Sequence, residues 1–142
     1  MNERRVRSLT VAVWLTIDAT MDNVARTAID FNDDLLSASA QALRERGWAA
    51  SNRHADAGEG SVGWPPRSAR LEIELSADEL AFIRQHLVEA STVSQRLLDS
   101  PQISPQVREA QERSLIVVRQ ALEAVSILAD GQSDAGGRAV QG

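Results

Sequence analysis

The 142-residue chain has no cysteine, no lysine and no tyrosine, and only two histidines. Without cysteine it forms no disulfide, no thiolate metal site and no thiol nucleophile. Without lysine there is neither a P-loop cation nor a Schiff base, and without tyrosine no phenolic acid. All fifteen basic residues are therefore arginine, as a GC-rich coding sequence would produce. Arginine favours rigid bidentate pairing over the mobile point charge of lysine. The net charge of −5 argues against non-specific binding to nucleic acid or anionic lipid, both of which need a positive field. Arg4, Arg5 and Arg7 form a short basic arm, but so few charges give little nucleic-acid affinity at physiological salt.

That arm leads into an apolar stretch from Leu9 to Ile17, superficially like a secretion signal. Thr10, Thr16 and Asp18 interrupt it and no small-x-small cleavage site follows, so it is read as a strand. No other segment approaches the ~20 apolar residues of a membrane span.

What is present is 43% apolar residues in a chain the length of one domain. Leu9, Val11, Val13, Leu15 and Ile17 alternate with Ser8, Thr10, Ala12, Trp14 and Thr16, the period of a strand rich in β-branched residues. Leu71, Ile73 and Leu75 alternate with Arg70, Glu72 and Glu74 in a second strand. One apolar and one mainly polar face per strand is the pattern of a sheet covered by helices on one side. Between the strands, Met21 to Arg46 reads as one helix with a buried stripe of Val24, Ala28, Phe31, Leu35 and Ala42, flanked by Ile29, Leu36 and Leu43. Gly47 is its natural stop. A rival reading makes Val24 to Phe31 a strand, with Asn32 capping a shorter helix from Asp33. The continuous helix is preferred because no Gly or Pro marks a turn between residues 18 and 32.

Residues 49–68 read as a long Gly- and Pro-containing loop whose ends are pinned by Trp48 and Trp64. Ser76 with Glu79 forms a capping box for a helix carrying Leu80, Ile83, Leu87, Ala90 and Leu97. Pro101 stops it, and Ser104-Pro105 starts a last, unusually apolar helix through Leu115, Val118, Leu122, Val125 and Leu128. The expected fold is α+β: a two-layer β-α-β-α-α arrangement, with a small sheet carrying helices on one face and a C-terminal antiparallel helical hairpin. Residues 1–130 form a single domain and 131–142 a disordered tail; no internal repeat stands out. If the strands are parallel neighbours, their crossover is right-handed.

Few motifs carry chemistry. Gly58-Glu59-Gly60-Ser61-Val62-Gly63 formally matches a dinucleotide-binding turn, but Trp64-Pro65-Pro66 forbids the helix that must follow. His54, Asp56 and Glu59 share a polar loop with little preorganisation for a metal. His86 is placed to pack beside Phe82, one helical turn away. Neither a cofactor nor a metal is expected. The first functional reading is a small, cytoplasmic, non-catalytic protein-interaction module, homodimeric and meeting a basic partner protein. Its interface residues are Trp14, Thr10 and Thr16 on the outer face of the first strand, and Glu72 and Glu74 on the second. The dimer rests on the unpaired sheet edges, Trp14 and the over-apolar last helix. The second reading is a small ligand-binding protein or enzyme with a site between the sheet and the 49–68 loop, using His54, Asp56 or Arg67.

Overall fold

A computed structural model describes residues 3–141, with side chains through residue 131. The chain is 71% helical. Its order is β1 (Arg4–Thr10), α1 (Val11–Asp30), α2 (Asp34–Arg53), β2 (Arg70–Ser76), α3 (Ala77–Leu98) and α4 (Pro105–Gln141). The architecture is α+β, with β1 and β2 forming an antiparallel two-stranded sheet, so the conditional parallel crossover does not arise. The same strand-helix-helix order occurs twice. Two compact units divide the chain, one spanning Arg4–Leu75 and the other running from Ser76 onward.

In the first unit the expected strand from Leu9 to Ile17 is corrected. The strand occupies Arg4–Thr10, taking in the basic arm, and the chain turns helical at Val11. Helix starts leave orphan N–H groups, and here each finds a partner. Val11 N–H donates to the Ala69 carbonyl at 2.8 Å, Ala12 N–H to that of Arg67 at 3.0 Å, and Val13 N–H to the Thr10 hydroxyl at 3.2 Å. Val11, Trp14, Ile17, Met21, Ala25 and Ala28 then form the buried stripe of α1, a helical rather than a strand period.

The continuous helix over Met21–Arg46 is also corrected. It breaks at Phe31–Asp33, where Asn32 takes a left-handed φ of 57°. Asn32 N–H donates to the Ile29 carbonyl and Asp33 N–H to that of Ala28, the paired bonds of a Schellman turn. Asp33 then caps α2, its carboxylate accepting from Leu36 N–H at 3.1 Å. Phe31 and Leu35, expected inside, are consequently exposed.

Gly47 does not end the helix; α2 continues to Arg53. A Cβ on Gly47 would lie 1.8 Å from Nε1 of the buried Trp14. Only glycine lets α1 and α2 approach across this indole, which offsets the ~1 kcal/mol that glycine costs inside a helix. Farther along the seam, Arg44 reaches from α2 to Asp18 at 3.2 Å and Asp22 at 2.9 Å on α1, with its guanidinium 4.9 Å from the centroid of the Trp48 ring.

The second unit follows its local signals closely. Ser76 and Glu79 form the capping box of α3, and Leu80, Ile83 and Leu87 are buried. Leu97, placed in the same stripe, is exposed. Ser104 accepts from Val107 N–H at 3.2 Å, opening α4 at Pro105. Leu115, Val118, Ala121 and Val125 are the buried positions of α4. Arg108 donates to the Leu98 carbonyl and Arg119 to the Gln95 side chain, tying α4 to α3 in an antiparallel hairpin. Of the segment 131–142, expected as a disordered tail, residues 132–142 fall outside the described side chains.

Candidate functional site

The sheet has two unlike faces because its side chains alternate. Leu9, Leu71, Ile73 and Leu75 occupy the buried face. Arg7 shares it and donates from Nε to the Leu75 carbonyl at 3.2 Å. Burial, and secondarily the charge of Arg5, lower its pKa from the usual arginine value.

The other face is open. Val6 and Ser8 of β1 and Arg70, Glu72 and Glu74 of β2 line it, and the C-terminal end of α2 adds Ala50, Arg53 and His54. Together they bound an open cleft of about 830 Å³. Arg70 is committed across the sheet, donating from Nε to the Ser8 hydroxyl at 2.7 Å and from Nη2 to the Ser8 carbonyl at 3.0 Å. Glu72 and Glu74, two residues apart on one strand, project from this face side by side and are exposed. Arg46 donates to the Glu74 carbonyl at 3.0 Å, pinning α2 beside β2.

His54 enters the cleft because α2 extends to Arg53, farther than the sequence reading allowed. Its Nδ1 accepts from Asp56 N–H at 2.9 Å, so the neutral ring carries its proton on Nε2. Among the described residues it makes no hydrogen bond to Glu72 or Glu74. Asp56 and Arg67, named beside it in the ligand-site reading, are exposed and lie outside the cleft.

The first-strand candidates separate. Trp14 is corrected from an exposed platform to a buried residue of α1, its indole N–H without a hydrogen-bond partner. Thr10 serves as the cap of α1. Thr16 is half-buried, its hydroxyl donating to the Ala12 carbonyl at 3.4 Å. The structure therefore does not gather Trp14, Thr10 and Thr16 on one exposed strand face.

The glycine-rich segment closes on itself. Gly58 N–H donates to the Gly63 carbonyl at 3.0 Å and Gly60 N–H to that of Trp64 at 2.7 Å, around a short 3₁₀ turn at Ser61–Gly63. Gly58 and Gly63 have φ near +87° and +86°, and Val62 a φ of 53°. Trp48 and Trp64 face a smaller hollow of about 330 Å³ beside Val62. His86 packs edge-on to Phe82 with centroids 4.6 Å apart, and its Nδ1 lies 3.2 Å from Glu89.

Among the described residues, no group of three or more His, Asp or Glu side chains is placed to hold a metal ion. No described helix is long and apolar enough to cross a membrane. The chain matches no family model, no curated protein and no solved structure.

Proposed function

We propose that the chain is a non-catalytic protein-interaction module, homodimeric, that meets a basic partner protein through the open face of its sheet. The observation that carries this reading is the pair Glu72 and Glu74, exposed side by side on a face that no helix of the same unit covers fully. Carboxylates so placed steer a cationic partner and set its register more than they add raw affinity. His54, the imidazole that lines the cleft, makes no hydrogen bond to Glu72 or Glu74 among the described residues, which favours contact over acid–base chemistry there. The dimer would form along α4, where Ile116 and Ile127 stand exposed about three helical turns apart on one face.

A ligand-binding role is the second reading, favoured by one observation: His54 and Arg53 share the cleft with both glutamates. Affinity purification of the full chain from its own cells, wild type beside Glu72→Arg/Glu74→Arg, separates the two. A stoichiometric basic protein lost from the double variant is the expected result. A co-purifying small molecule, or a protein retained equally by both forms, would overturn the first reading.

A further inference from the structure

We propose that the turn joining α1 to α2 is a docking knob for a second kind of contact, with a partner protein that offers an apolar pocket rimmed by arginine or lysine. Ile29, Phe31 and Leu35 are 61%, 78% and 84% exposed, within seven residues at one end of the hairpin. Single exposed apolar side chains need no explanation, but three large ones concentrated on one turn mark a contact surface.

The turn is built to hold them. Asn32 sits at φ 57°, two paired backbone bonds close α1, and the Asp33 carboxylate opens α2. The N–H groups of Phe31, Asn32 and Asp33 are each tied locally, so the knob loses little freedom on binding.

The charge around the knob selects the occupant. Asp30, Asp33 and Asp34 are all exposed, and no basic residue occurs between Arg26 and Arg44. Arg26 is engaged with Asp22, and Arg44 with Asp18 and Asp22. Two such knobs brought together would oppose their carboxylates, so a symmetric knob-to-knob pairing of two copies does not fit. An anionic lipid surface is repelled for the same reason. A protein pocket with a cationic rim satisfies both the apolar tips and the acids. The knob lies about 30 Å from β1 along α1, at 1.5 Å per residue, and stands independently of the sheet face.

The test places the photo-cross-linker p-benzoylphenylalanine at position 31 of the full chain in its own cells, with position 62 as an equally accessible control. The expected result is a protein adduct specific to position 31 whose mapped peptide carries arginine or lysine beside apolar residues. With that purified protein, Phe31→Ser should weaken binding about 30-fold, the scale of an interface anchor. Asp30→Asn/Asp34→Asn should weaken it too, and raised salt should mimic the loss. Both variants alter exposed side chains and should keep wild-type helicity. An adduct with another copy of this chain, co-sedimentation with phosphatidylcholine vesicles through the knob, a mapped peptide without basic residues, or no adduct beyond the control would each overturn the proposal.

Discussion

Gly47 and Trp14 set how closely α1 and α2 approach. The indole occupies the space where any other residue at 47 would place its Cβ, and it is itself fully buried, a rigid ring rather than the flexible end of a long side chain. Gly47→Ala is therefore expected to destabilise the fold by about 3 kcal/mol, the upper range for overpacking a close-packed core. Chemical denaturation with tryptophan fluorescence would measure it. Trp14→Phe in the same chain should recover part of the loss, because it removes Nε1, and the two changes should be strongly non-additive. In the sequence, Gly47 looked like a helix stop, since glycine commonly ends helices. Its real partner is thirty-three positions away and leaves no local trace.

At the scale of elements, signals written in short-range hydrogen bonds were legible and those completed from a distance were not. The capping box Ser76–Glu79 and the Ser104-Pro105 start contain their own partners, and α3 and α4 begin where those residues stand. The start of α1 depends on the carbonyls of Arg67 and Ala69, so the alternation from Leu9 to Ile17 read as a strand although Val11, Trp14, Ile17 and Met21 also had helical spacing. Asn32 hid the next turn by taking the left-handed position that glycine usually fills. Part of the candidate site was legible by the same logic: period two placed Glu72 and Glu74 on the open face, while His54 reached the cleft only because α2 runs on.

The α1–α2 seam also carries a pH dependence. A hydrogen bond from Arg26 is the main cause holding the Asp22 carboxyl below the usual aspartate range; desolvation opposes it, and the charges of Arg44 and then Arg26 add to the lowering. A depressed carboxyl stabilises the folded state above the unfolded aspartate pKa of about 3.9, and that stabilisation disappears as pH falls through the lower folded value. Thermal melting of wild type and Asp22→Asn should therefore differ at pH 7 and converge as the pH is taken well below about 4. A gap that persists in acid would remove the role assigned to this carboxylate.

On the scale of the whole molecule, the first unit joins the two-stranded sheet to the α1–α2 hairpin and the second is the α3–α4 hairpin, and each leaves a different surface uncovered. The first offers an acidic, open sheet face; the second offers Ile116 and Ile127 along α4. Neither surface carries an assembled acid–base pair or a metal-binding cluster among the described residues. The absence of cysteine, lysine and tyrosine removes thiol, amine and phenol chemistry, and the function proposed for the molecule is contact between surfaces. Homodimerisation through α4 is central to that account. Light scattering on the purified full chain at micromolar concentration tests it most directly. The account requires twice the 15.4 kDa chain mass for wild type and the single-chain mass for Ile116→Glu/Ile127→Glu with helicity unchanged. A monodisperse wild-type monomer would contradict it.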